Sequence, residues 1–311
     1  MTSGIARSLV IPVYRNAENI DDLIAAVEAL HKTSGGLEAV FVIDGSPDDS
    51  GRLLMARRKK FGFPYQIVFH SRNFGSFTAV RTGMAHARGR MIAVMAADLQ
   101  EPPELVLDLF AILAADEADV VFGTREARHD GLLGDMASNL FWGIYRRFVM
   151  KDMPRGGIDI FACTRQVADS VLAISEPNSS LIAQLFWVGY RRAFVGYVRK
   201  AREKGRSGWS FTRRLRYMVD SIVSFTDFPI MVVLWLGIVG CLASFGFGGI
   251  VLIARLMGMI AVPGYTPIVV LVSFSVSLLL AVQGILGLYL WRTFENTKNR
   301  PLGLVSHVVA E

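Results

Sequence analysis

Met91-Ile92-Ala93-Val94-Met95-Ala96-Ala97-Asp98-Leu99-Gln100-Glu101-Pro102-Pro103 reads as a buried strand, Met91 to Ala96, that runs out onto a lone carboxylate and then onto helix-start punctuation. Open α/β sheets bind their ligands outside the carboxyl ends of the strands. Asp98 is therefore the first candidate functional residue. Two positions before it, where a second carboxylate would make a metal-binding pair, stands Ala96.

On either side of this stretch, apolar runs alternate with helical ones. Ser8 to Val13, Glu38 to Asp44, Tyr65 to His70 and Asp119 to Gly123 read as further strands. Ile20 to Leu30, Ser50 to Phe61, Phe74 to Ala87 and Pro103 to Ala114 read as helices. The alternation predicts a mostly parallel sheet covered by helices, for which nucleotides are the expected ligands. The first strand is not followed by Gly-x-Gly-x-x-Gly, which a dinucleotide-binding fold needs for the pyrophosphate to approach the backbone. It runs instead into Pro12-Val13-Tyr14-Arg15-Asn16-Ala17-Glu18. The second strand ends in Asp44-Gly45-Ser46-Pro47-Asp48-Asp49-Ser50. That segment can be a simple Gly turn with a capped helix start. Equally, Asp44 can hold a base or ribose while Gly45 lets the ligand come close.

The last third of the chain is different. No charged side chain occurs from Phe228 to Ala254 or from Leu256 to Trp291, with Arg255 between, and each stretch exceeds the ~20 residues that cross a bilayer. Pro263-Gly264-Tyr265-Thr266-Pro267 supplies a turn between them, so a transmembrane hairpin is expected. Basic residues flank it on both sides: Arg191, Arg192, Arg199, Lys200, Arg202, Lys204, Arg206, Arg213, Arg214 and Arg216 before, Arg292, Lys298 and Arg300 after. Both flanks are expected to be cytoplasmic. The expected organisation is a cytoplasmic catalytic domain at 1–200, a basic juxtamembrane amphipathic segment at 201–227, two membrane helices at 228–291 and a cytoplasmic tail at 292–311. Met1 to Ser8 lacks an apolar signal segment, so the bulk of the protein, with both termini, is expected on the inner face of the cytoplasmic membrane. The net charge of +6 is crowded toward the membrane, which fits anionic lipid or a phosphate-bearing lipid rather than nucleic acid. Cys163 and Cys241, the only cysteines, indicate neither disulfides nor a metal cluster. The five histidines lack the close pairing of a zinc site. Gly240, Ser244 and Gly248 form a small-x-x-x-small row that permits close helix contact, within the hairpin or in a homo-oligomer.

Several segments together resemble glycosyltransferase family 2, and within it the membrane-anchored polyprenyl-phosphate glycosyltransferases. They are Ile11 to Glu18, Ile43 to Ser46, Ser71 to Gly75, Ala96 to Pro103, Gly157 to Phe161, Arg202 to Trp209 and Lys298 to Pro301. The resemblance implies an α/β domain of the nucleotide-diphospho-sugar transferase (GT-A-like) type, followed by the two-helix hairpin. The activity it implies is transfer of a sugar from a UDP- or GDP-sugar to polyprenyl (undecaprenyl) phosphate, in the service of cell-envelope glycans. In such enzymes Pro12, Tyr14, Glu18, Asp44, Gly45, Ser46 and Gly75 line the nucleoside pocket. Asp98, with Gln100, faces the diphosphate and a metal. Asp159 matches an acceptor-side acid, and Arg202 and Arg206 hold the acceptor phosphate or donor diphosphate. Ala96 departs from the family's Asp-x-Asp, and Ile158 and Ile160 depart from its Gly-Asp-Phe-like stretch.

The chemistry agrees with this reading. Charge growing on a departing nucleoside diphosphate must be neutralised by a cation or by Arg and Lys. Mg2+ or Mn2+ suits the task, taking one or two protein carboxylates with waters and phosphates. A lipid phosphate is already ionised, so it needs positioning more than deprotonation, and Asp159 reads as an orienting residue. Arg125 and Arg128, after the fifth strand, can reach phosphate or simply face solvent. Two rivals stand beside the transferase. A polysaccharide synthase would need more spans and a Gln-x-x-Arg-Trp stretch, whereas Gln184-Leu185-Phe186-Trp187 lacks the Arg. A non-catalytic nucleotide-sugar binding or scaffold protein would explain Ala96 but not the retention of Asp44, Asp98, Gln100, Asp159, Arg202 and Arg206.

Overall fold

The computed structural model describes residues 5–125, 154, 158–176, 179–199, the isolated positions 232, 235, 239, 246, 253 and 257, and 265–311. The chain divides into two compact units, Met1–Met218 with Arg300–Glu311, and Val219–Asn299.

In the first unit the strands are β1 Arg7–Val13, β2 Glu38–Ile43, β3 Tyr65–His70, β4 Met91–Val94, β5 Val120–Arg125, β6 Ile158–Thr164, β7 Arg192–Tyr197 and β8 Val305–Ala310. Helices α1 Ile20–Ser34, α2 Ser50–Arg57, α3 Ser76–His86, α4 Leu105–Ala114, α5 Arg165–Leu172 and α6 Leu181–Trp187 cover them. One sheet results, in the order β7-β5-β6-β4-β1-β2-β3-β8. Alternation along β1 and β2 explains its two coats. Leu9, Ile11 and Val13 with Ala39, Phe41 and Ile43 join the core that holds α1, α2 and α4. Val10 with Val40 and Val42 joins the core that holds α3, α5 and α6. Successive side chains of a strand point to opposite faces, so a sheet apolar on both faces has to be covered twice.

The expected strands and helices through α4 are all present, with shifted ends. The expected parallel character holds only for the centre: β1 pairs β2 and β4, and β2 pairs β3, all parallel. Toward the edges β6 runs antiparallel to both β4 and β5, and β8 antiparallel to β3. β4 stops at Val94 rather than Ala96, which places Asp98 in a loop beyond the strand rather than on its end. The residues read as a terminal tail contain β8, whose register sets Phe69 against His307.

The topology opens a crevice at one place. After β1 the chain passes to β2 and β3 on one side, then returns through α3 to β4 on the other. This reversal of strand order is where open α/β sheets bind ligands. β4 leaves β1 after the Val10–Val94 pair, short of Pro12, so the missing N–H of Pro12 costs no ladder bond on that side.

In the second unit, α7 Tyr265–Thr297 runs for 33 residues. Ile268, Leu271, Val272, Leu279, Leu286 and Leu290 are exposed apolar side chains along it. Among the described residues no helix is long and apolar enough to cross a membrane. The first expected span, apart from isolated positions, and the Gly240, Ser244, Gly248 row lie outside the described residues.

Candidate active site

The nucleoside side of the crevice is built from the loops after β1, β2 and β3, and its polar groups are tied to one another. Asp44, buried at the end of β2, accepts hydrogen bonds from Phe74 N and Gly75 N, each at 2.8 Å. Its Oδ1 also lies 2.8 Å from His70 Nδ1, and His70 Nε2 pairs with Thr82 at 2.9 Å. Asp44 thereby holds the β3–α3 loop in place. Gly45 has φ +55, and a Cβ there would lie 2.3 Å from the backbone carbon of Arg72, so the turn admits only glycine. Ser46 Oγ accepts from Arg15 N at 2.8 Å and donates to Asp48. Asp48 in turn accepts from Ala17 N and Ser50 N, which lowers its pKa: burial alone would raise it, and the hydrogen bonds from Ser46, Ser50 and Ala17 outweigh that. Among these residues Tyr14 and Glu18 are exposed, and Pro12 and Gly75 are half-buried.

Across the crevice, the loop after β4 carries the acid. Leu99 adopts φ +54, a left-handed conformation that costs a non-glycine residue about 1–2 kcal/mol. Its side chain packs on the core of α1 and α4, and this packing holds the strained turn between Asp98 and Gln100. Gln100 N lies 3.5 Å from Asp98 Oδ1.

The ends of β5, β6 and β7 meet the same loop. Asp159 accepts from Arg125 Nε at 2.5 Å and from the Tyr197 hydroxyl at 2.9 Å. Burial would lower the pKa of Arg125, but the charge and hydrogen bond of Asp159 raise it on balance. Tyr197 is raised by burial and by the charges of Asp159 and Glu101, so its hydroxyl stays a donor. Arg199 reaches three groups: Nη2 donates to Gln100 Oε1, Nε lies 3.4 Å from Glu101 Oε1, and Nη1 lies 3.8 Å from Asp159 Oδ2. Glu101 is fully buried, and burial, with the nearby charges of Asp159 and Asp98, pushes its carboxyl up to about 7 against the pull of Arg199.

The donor set suits a divalent ion that is completed by substrate. Among the described residues no cluster of three or more His, Cys, Asp or Glu side chains is arranged to hold a metal. Asp98 and the amide oxygen of Gln100 would supply one carboxylate and one neutral oxygen, leaving the remaining positions to waters and phosphates, as Mg2+ commonly has it.

Of the residues singled out in the sequence, those after β1, β2 and β3 fall together on one side of the crevice, and Asp98, Gln100 and Asp159 on the other. Arg202, Arg206 and Arg128 lie outside the described residues. Glu101, Tyr197 and the site role of Arg199 escaped the sequence reading, which counted Arg199 with the membrane-facing basic residues. A partial signal existed: Tyr197 closes β7 and Arg199 follows it by two residues. The register also sets Arg125 opposite Tyr197.

Residues 8–170 match the model of glycosyl transferase family 2. The chain is a family 2 glycosyltransferase. Its α/β domain is of the GT-A-like, nucleotide-sugar transferase type. Among the relatives of this glycosyltransferase, an undecaprenyl-phosphate 4-deoxy-4-formamido-L-arabinose transferase of Klebsiella pneumoniae is 30% identical over 309 residues, covering 98% of this chain and 94% of the relative. A prophage bactoprenol glucosyl transferase homolog of Escherichia coli is 28% identical over 303 residues, covering 97% and 98%. Among solved structures it is similar to glucosyl-3-phosphoglycerate synthase from Mycobacterium tuberculosis in complex with Mn2+, UDP and phosphoglyceric acid. That match has a TM-score of 0.49 and 16% identity, covering 72% of this chain and 78% of the other.

Proposed function

We propose that this enzyme transfers a sugar from a nucleotide-diphosphate donor, a UDP- or GDP-sugar, to polyprenyl phosphate in one inverting displacement. The observation that carries the reading is the placement of two polar clusters on either side of the strand-order reversal: the loops after β1 to β3 on one, and on the other the loop after β4 carrying Asp98 with the Arg125–Asp159–Tyr197 cluster. Relatives that match nearly end to end and are named for undecaprenyl phosphate and bactoprenol support the acceptor.

In this mechanism a phosphate oxygen of the lipid attacks the anomeric carbon as the carbon–oxygen bond to the diphosphate breaks, and its electron pair leaves with the nucleoside diphosphate. Asp98 and Gln100 are the residues that would hold a divalent cation, which would supply charge neutralisation for the departing diphosphate. Arg125, held by Asp159, adds fixed positive charge on the same side. Asp159, clamped by Arg125 and Tyr197, orients its neighbours rather than taking a proton, because the acceptor is already ionised. Arg202 and Arg206 are assigned to the acceptor phosphate or donor diphosphate.

The acceptor is a membrane lipid, and the two-span hairpin at 228–291 anchors the enzyme to the inner face of the cytoplasmic membrane. The charge-free stretches Phe228 to Ala254 and Leu256 to Trp291, each longer than the ~20 residues that cross a bilayer, support this placement. The test is incubation of purified protein with polyprenyl phosphate, Mg2+ or Mn2+, and labelled UDP- and GDP-sugars. Label should enter the lipid phase, and Asp98→Asn should abolish it. Absence of transfer from every donor would favour the scaffold reading, and an α-linked product from an α-linked donor would refute the single displacement.

A further inference from the structure

Three buried atoms beside the acid loop have no hydrogen-bond partner: Glu101 Oε1, Glu101 Oε2 and Arg199 Nε. They nonetheless face one another, with Arg199 Nε 3.4 Å from Glu101 Oε1. They form an ion pair without hydrogen-bond alignment, and this has a visible cause. Nη2 of the same guanidinium is engaged with Gln100 Oε1, and a guanidinium is a rigid planar fork. With Nη2 drawn to Gln100, the edge formed by Nε and Nη2 is not aligned on both oxygens of Glu101. Leaving a buried carboxylate unsatisfied is costly, and a rotation of Arg199 off Gln100 onto Glu101 would satisfy all three atoms in a bidentate pair.

We propose that Arg199 is a latch on the metal side of the site: it holds Gln100 Oε1 in the present arrangement, and turns fully onto Glu101 when a divalent cation takes that oxygen. This rests on the reading of Gln100 as a metal ligand. A guanidinium and a divalent ion on one oxygen repel strongly in a buried site, so the two occupants exclude each other. Glu101 is then the second seat of the latch, which Arg199 touches in this arrangement through Nε alone. Arg199 is in this sense a positioning residue that suppresses metal binding until a nucleotide diphosphate arrives to share the ion.

The test uses the full chain in detergent micelles, with free Mn2+ counted by electron paramagnetic resonance, with and without UDP. Arg199→Met should tighten Mn2+ binding without nucleotide by about tenfold, the equivalent of one charge-assisted contact of about 1.4 kcal/mol. Arg125→Met removes the same charge beside Asp159 but no contact with Gln100, and should change the affinity far less. Equal tightening in both variants would be charge removal alone and would overturn the latch, as would unchanged or weaker binding in Arg199→Met. If Arg199→Met does not fold, Glu101→Gln decides: with the second seat weakened, Mn2+ binding in the presence of UDP should loosen several-fold, and an unchanged affinity overturns the proposal. Should the unmodified protein bind no Mn2+ even with UDP, the metal reading itself fails. Binding with UDP that no variant alters defeats the latch alone.

Discussion

Replacing Gly45 by alanine tests whether the β2 turn and the β3–α3 loop form one unit. Two penalties add at this position. The first is conformational: φ is +55, which costs an alanine about 1 kcal/mol. The second is steric: the new Cβ would lie 2.3 Å from Arg72 C and 2.4 Å from Asn73 N. Both are backbone atoms, so the whole loop has to retreat. The neighbouring amides of Phe74 and Gly75 are the ones that bind Asp44 at 2.8 Å, and a hydrogen bond to a charged group contributes about 1.5–3 kcal/mol. Losing one of them, with the backbone strain, sums to about 2.5–4 kcal/mol. At about 2–4 °C per kcal/mol for a domain of this size, the melting temperature should fall by about 5–16 °C. Gly35→Ala is the control, since φ there is +70 but a Cβ would meet nothing within 4 Å. It should lose only the conformational part, about 1 kcal/mol. Thermal unfolding followed by circular dichroism, with UDP and GDP binding measured on the same samples, makes the comparison. If the two variants melt together and Gly45→Ala binds nucleotide like the unmodified protein, the coupling through Asp44 does not exist.

Other expectations can be checked separately. Glu38 is fully buried, and although burial alone would raise its pKa, hydrogen bonds from Arg88, Ser8 and Gln66 lower it below the usual 4.5. Its contribution to stability is therefore complete above pH 4.5 and disappears as the pH falls through the lowered folded value. Urea titrations at a series of acidic pH values should show this slope in the unmodified protein and its loss in Glu38→Gln. Cys163 is buried, and burial pushes its thiol up to about 12, so in a Cys241→Ser background no alkylation is expected at pH 8 until denaturant is added. At Gly83 a Cβ would lie 2.2 Å from Val10 Cγ1. Gly83→Ala should cost about 1–3 kcal/mol by overpacking, and Val10→Ala in the same chain should recover part of the lost melting temperature.

The half of the sheet whose strands are apolar and locally punctuated was legible from sequence. Glu38–Ile43 and Tyr65–His70 are short buried runs bounded by turn residues, and their pairing follows from consecutive crossovers. β7 was not legible, because Arg192 opens it and Arg191 precedes it, so its charges read as part of a membrane flank. In the structure Arg191 is occupied by Asp116 and Asp119. β8 escaped because its partner is remote in sequence and nothing in Val305 to Ala310 names β3. At the site, Asp98, Gln100 and Asp159 stood out as acids and amides in recognisable segments. Arg125 was already singled out as able to reach phosphate, but its pairing with Asp159, like the placement of Tyr197 and Arg199, depends on which segments the sheet brings side by side, which neighbouring residues do not state.

Ser306 donates to the Phe69 carbonyl across 237 positions of sequence. At about 5–20 residues per second, a ribosome needs roughly ten to fifty seconds to travel from β3 to β8. Throughout that interval the outer edge of β3 has no partner from its own chain, beside the loop that carries the nucleoside pocket. An unpaired strand edge invites pairing with other chains. The last dozen residues thus act as a completion step in biosynthesis: until they emerge, the catalytic sheet is open on its donor side, and a nascent chain stalled before Val305 would be a candidate for aggregation or proteolysis rather than a slow enzyme.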